Sequence, residues 1–180
     1  MSTNEINMFK TYLQKAAIYF EYGSGGSTYF AVNNGVKKIY SVESDPQWTD
    51  KLKQQLNNDI VSFIHIDIGS TGAWGYPTTS DNISNYPLYS KAIDQITEKI
   101  DLVLVDGRFR VACICRSLLK LDPNSFILVH DFWNRPQYHV VLPYLDVIDR
   151  VDSLAVFKPK SNLNSDEIVA LWQQYKNITV

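Results

Sequence analysis

Ile18-Tyr19-Phe20-Glu21-Tyr22-Gly23-Ser24-Gly25-Gly26-Ser27-Thr28 is the stretch on which the fold turns. An apolar run from Ala17 to Tyr22 reads as a strand, and it passes without a spacer into Gly23-Ser24-Gly25-Gly26. Ser27 to Asn34 then carries a helical pattern that stops near Gly35. Strand, glycine turn and helix in direct succession is the opening of a parallel α/β unit. Glycines let the backbone come close to a ligand, and the helix start behind them offers free N–H groups.

The same alternation continues outward in both directions. Asn4 to Lys15 reads as a helix before the first strand. After it come a strand at Lys38 to Glu43, a helix from Pro46 to about Asn57 and a strand at Ser62 to Asp67. Asp101-Leu102-Val103-Leu104-Val105-Asp106 has the continuous apolar character of a buried parallel strand. A helix at Phe109 to Leu121, a strand at Ser125 to His130 and a helix at Gln137 to Leu145 follow it. Val147 to Arg150 and Leu154 to Lys158 read as a closing pair of strands. The last helix runs from Ser165, as N-cap, to Tyr175. One stretch breaks the rhythm: Gly69 to Tyr89 is rich in Gly, Pro and aromatics and precedes a helix at Ser90 to Lys99. A loop of that length in a compact domain suits a lid over a site.

Composition narrows the class. The 180 residues suit one domain spanning 1–180, and 45% hydrophobic against 20% charged residues excludes disordered and fibrous chains. The net charge of -2 comes with scattered Lys and Arg, so duplex nucleic acid is not an expected partner. Cys113 and Cys115 lie two apart in a helix and point to different faces, as core residues of a reducing compartment. The first ten residues are polar and no apolar run is long enough for a bilayer, so a cytoplasmic location is expected and no membrane partner.

Open parallel sheets bind ligands at the carboxyl ends of their strands. Every strand here ends in an ionisable side chain: Glu21, Glu43, Asp67, Asp106, and His130-Asp131. A carboxylate at Glu43, where the second strand stops, can accept hydrogen bonds from both hydroxyls of a ribose. A dinucleotide fingerprint would place a third glycine at position 28, and Thr28 stands there instead.

Glu21-x-Gly23-x-Gly25 followed by Ser27, with Ser41-Val42-Glu43 at the end of the second strand, resembles the motifs of S-adenosylmethionine-dependent methyltransferases. The resemblance spans Ile18 to Phe157. It implies a three-layer α/β Rossmann-like methyltransferase fold, with a seven-stranded, mostly parallel sheet and an antiparallel last strand. It implies S-adenosylmethionine as cofactor: Gly23, Ser24, Gly25 and Ser27 beneath the methionine part, Glu21 at its amino group, Glu43 at the ribose, Asp67 and Ile68 at the adenine, and Trp74 over the ring. Asp106 and Asp131 are similar to the aspartate pair of metal-dependent O-methyltransferases, which implies a magnesium site; Phe132 departs from the Asn or Asp those enzymes carry next. Without metal, the base for an acceptor hydroxyl is Asp106, His130 or His139. Arg108, Arg110 and Arg135 could receive an anionic acceptor. The reading is O-methylation of a small molecule or glycan, with a homodimer as one way to complete an open site. The rival readings are a non-catalytic nucleotide-binding domain and a nicotinamide-dependent oxidoreductase.

Overall fold

The computed structural model describes residues 1–56 and 58–179. Within these residues seven strands form one sheet: β1 (Ile18–Tyr22), β2 (Lys38–Glu43), β3 (Val61–His65), β4 (Leu102–Val105), β5 (Phe126–Val129), β6 (Leu145–Val151) and β7 (Leu154–Pro159). Their order is β3-β2-β1-β4-β5-β7-β6. The first five run parallel, and β7 pairs antiparallel with both β5 and β6. The chain therefore reverses its direction of travel across the sheet between β3 and β4, and the crevice opens beyond the ends of β1 and β4.

Among the described residues six α-helices cover the sheet: α1 (Thr3–Leu13), α2 (Gly26–Val32), α3 (Pro46–Leu56), α4 (Tyr86–Lys91), α5 (Arg110–Lys120) and α6 (Ser165–Tyr175). Alternate strand residues feed two cores, because side chains change face at every step. Phe20, Tyr22, Val103, Val105, Ile127 and Val129 pack with α4, α5 and α6. Tyr19, Leu102, Leu104 and Leu128 pack with Phe9, Tyr12 and Leu13 of α1 and Ala31 of α2. Cys113 and Cys115 are both buried and unpaired, as core residues. No helix of the described residues is long and apolar enough to cross a membrane.

Several boundaries differ from the sequence reading. The helix expected at Ser90 to Lys99 begins earlier, at Tyr86, and tightens into a 3-10 turn at Ala92–Gln95. Tyr86 and Tyr89 supply its buried face, and Pro87 stands in its first turn, where a proline suits a helix start. Pro136–Tyr144 is a run of 3-10 turns rather than an α-helix, with Pro143 inside it. The cap of α6 is Asn164, whose side chain accepts from Asp166 N, one residue before the expected Ser165. The expected end of α3 at Asn57 lies outside the described residues.

Candidate functional site

The turn after β1 is built around one buried carboxylate. Glu21 has no exposed surface, and its two oxygens accept the hydroxyls of Tyr19, Ser27, Thr28 and Ser41. Burial raises its pKa, against the pull of those four donors. Glu21 thus clamps strand, turn and helix together and does not reach the surface where a ligand amino group would lie. Ser24 extends the network: its hydroxyl meets that of Ser41 at 2.5 Å, and its N–H donates to Glu43 Oε2 at 3.1 Å. Ser27, expected against the cofactor, is turned to Glu21 instead.

Glu43 ends β2 and accepts from three backbone N–H groups, those of Ser24, Ser44 and Asp45. It ties the β1 turn to the start of α3. Trp48 adds a further tie, its indole N–H donating to the Ser24 carbonyl at 2.9 Å. Beyond Glu43 lies a cavity of about 630 Å³, lined among others by Ser44, Asp45, Gln47, His65, Asp67 and Asp81. That volume lies within the ordinary range for small-molecule sites. Asp67 is on its wall. Ile68 is fully buried in the core, and Trp74 is 88% exposed.

Gly107 is the residue the sequence reading missed. A Cβ there would stand 2.9 Å from Gly23 N and would collide with the Tyr89 hydroxyl. A glycine directly after the strand-ending Asp106 was the available signal, and nothing in the sequence says which backbone comes against it.

At the ends of β4 and β5 the ionisable groups meet as one cluster. His130 Nδ1 lies 3.0 Å from Asp106 Oδ1, and its Nε2 lies 3.3 Å from Glu5 Oε2 on α1. Arg110 donates to Asp106 Oδ1 at 3.1 Å and lies 3.9 Å from Asp131 Oδ2. Arg135 donates to Asp131 Oδ2 at 3.0 Å. Burial would lower the His130 pKa, but Asp106 and Asp131 outweigh it and raise it, favouring the imidazolium. Burial would raise Asp131, but His130, Arg110 and Arg135 hold it down. Asp106 Oδ2 has no hydrogen bond among the described residues. His139 stands apart, its Nε2 3.0 Å from the Phe132 carbonyl and its ring against Phe132. Phe109 and Asp131, which follow β4 and β5, both take left-handed backbone conformations, with φ of 55° and 56°. Such residues concentrate where a site fixes the chain.

The structure thus brings Asp106, His130 and Asp131 together and leaves His139 outside. The donor set does not suit magnesium. Asp106 Oδ1 and Asp131 Oδ2 are held by Arg110 and Arg135, and no group of three His, Cys, Asp or Glu among the described residues could hold a metal.

A methyltransferase-like protein from Silicibacter pomeroyi shares 30% of its residues with this chain and superposes at a TM-score of 0.89, covering 100% of this chain and 96% of the other. The chain belongs to the Rossmann-like methyltransferase family. The methyltransferase fold extends to more distant structures. The N-methyltransferase NodS from Bradyrhizobium japonicum, solved with S-adenosyl-L-homocysteine, matches at 13% identity and a TM-score of 0.59, over 88% of this chain and 87% of its own. A ribosomal protein L11 methylase from Lactobacillus delbrueckii subsp. bulgaricus matches at 9% and 0.56, over 89% and 81%. No family model and no curated protein matches this methyltransferase-like chain.

Proposed function

We propose that the protein transfers a methyl group from S-adenosylmethionine to a hydroxyl of a small molecule or glycan. The observation that carries this is the cavity that follows Glu43 at the end of β2, together with a carboxylate oxygen of Asp106, at the end of β4, that has no hydrogen bond among the described residues; β2 and β4 flank β1 and its glycine turn. The residues present fit the cofactor. A Cβ on Gly25 or Gly26 would meet nothing within 4 Å, so the space over the turn is open. Asp67, on the wall of the cavity, would take the adenine, Glu43, one residue before its Ser44–Asp45 lining, the ribose, and Gly23, Ser24 and Gly25 would floor the methionine part.

S-adenosylmethionine supplies an electrophilic methyl group, and the chain's task is to align the acceptor and take its proton. Asp106 Oδ2 is the proton acceptor. Arg110 and His130 hold Asp106 through its other oxygen, which fixes the carboxylate. His130 is ill suited to be the base itself, since both its nitrogens face carboxylates. Asp131 orients Arg110 and Arg135, and no step passes through a metal.

Titration calorimetry with S-adenosylhomocysteine tests the first half: saturable binding is expected, and no binding at millimolar ligand sinks the proposal. Release of S-adenosylhomocysteine from S-adenosylmethionine against a panel of hydroxylated acids, sugars and phenols tests the second.

A further inference from the structure

Charge is out of balance where β4 and β5 end. Two guanidiniums, Arg110 and Arg135, face the aspartates Asp106 and Asp131, His130 lies between Asp106 and Glu5, and Arg108 adds a third guanidinium that faces neither aspartate. Arg110 and Arg135 are paired. Arg108 is only 7% exposed, no carboxylate among the described residues pairs with it, and its Nη1 is buried without a hydrogen-bond partner. Buried polar groups are nearly always satisfied, and a buried charge is costly unless paired.

Arg108 stands two residues beyond Asp106, and its guanidinium lies 4.0 Å above the ring of Tyr76, from the 69–85 segment. Arg135 flanks the same phenol: burial would raise the Tyr76 pKa, but Arg108 and Arg135 bring it down. Arg108 thus stacks on the Tyr76 ring two residues past the carboxylate that takes the acceptor's proton, while Arg135 keeps its pair with Asp131.

We propose that the acceptor is an acid, whose carboxylate or phosphate oxygens pair with Arg108 and are flanked by Arg135. This rests on the reading of Asp106 as the acceptor end of the site. A planar guanidinium matches either oxyanion with two parallel hydrogen bonds. Arg108 Nη1 has no exposed surface, so the anion reaches it by displacing Tyr76.

Calorimetric titration with inorganic phosphate and, separately, with acetate, each with and without S-adenosylhomocysteine, decides the matter. One of the two is expected to bind, phosphate assigning a phosphorylated acceptor and acetate a carboxylic acid. Arg108→Gln is expected to weaken that binding about 10-fold or more, and Arg108→Lys to recover part of it. Arg135→Gln, at a partly exposed position, is expected to fold and to weaken it several-fold. All three variants should bind S-adenosylhomocysteine as the wild type does. No binding of either anion, or unchanged anion affinity in Arg108→Gln and Arg135→Gln, overturns the proposal. Anion binding without S-adenosylhomocysteine binding would instead overturn the methyltransferase reading and leave the anion site in place.

Discussion

Gly23 and Gly107 meet back to back where β1 and β4 end: a Cβ on Gly23 would stand 2.8 Å from Gly107 Cα, and one on Gly107 would stand 2.9 Å from Gly23 N. Gly23 also has φ of 93°, which side chains rarely adopt. Two strand ends are pressed together here with no room for a methyl group, and their turns carry the residues on both sides of the crevice.

Gly107→Ala is therefore expected to cost about 1–3 kcal/mol of stability, the range for overpacking a tight site. Gly25→Ala meets nothing within 4 Å and should change stability by less than about 0.5 kcal/mol. Its effect should fall on S-adenosylhomocysteine affinity. Urea unfolding and calorimetry on both variants separate the two. Equal stability losses would mean that the contact between the turns is not what limits Gly107.

Glu43→Gln keeps the shape but replaces one oxygen by a donor, and all three backbone partners of Glu43 are themselves donors. Affinity for S-adenosylhomocysteine should fall by about 10- to 100-fold, the equivalent of 1.5–3 kcal/mol for hydrogen bonds to a charged group. Wild-type affinity in the folded variant would place the ribose elsewhere.

Asp106→Asn tests the proposed base. An amide accepts the bonds from Arg110 but takes no proton. Turnover on the true acceptor should drop about 10²-fold or more, with S-adenosylhomocysteine affinity unchanged. A chelator should leave wild-type turnover intact, because arginines already occupy the aspartates. Loss of activity restored by magnesium would overturn that expectation.

Stability should depend on pH through the link between α1 and the end of β5. Burial would raise Glu5, but bonds from Ser153 and Ser2 and the charge of His130 bring it from an ordinary value of 4.5 to about 2. A depressed folded pKa gives stability that is present above 4.5 and lost as pH falls towards about 2. His130 is raised above its ordinary 6.5, so its contribution is complete below 6.5 and lost as pH rises through the folded value. The link should be strongest between those limits. Thermal unfolding should show Glu5→Gln converging on the wild type in acid, and His130→Gln converging on it in base. A constant difference across pH would remove both groups from the link.

Local chemistry carried much of this protein into view from its sequence. Lys38 to Glu43 and the body of α6 lie where periodicity puts them, because their apolar faces repeat at one fixed spacing. The glycine turn after Tyr22 was legible because glycines between a strand and a helix admit few other structures. Asp106 and His130 were legible as strand ends. Less visible were the partners. Ser2-Thr3-Asn4-Glu5 spells a capping box, yet the same Glu5 also holds Ser153 and Leu154. Glu21 reads as a ligand-facing acid, but the fold gives it four hydroxyls and no surface.

The sequence by itself determined the order of strands and helices, the turn after β1 and the acids at the strand ends, since each follows from residues a few positions apart. Only the tertiary structure decided which of those groups stay free. Gly107 comes against Gly23, Arg110 against Asp131 and His130 against Asp106 and Glu5, while Arg108 is left without a carboxylate. Those pairings join residues that only sheet register and helix packing bring together, and pairing is what separates an ion that holds the fold from one left to bind a ligand.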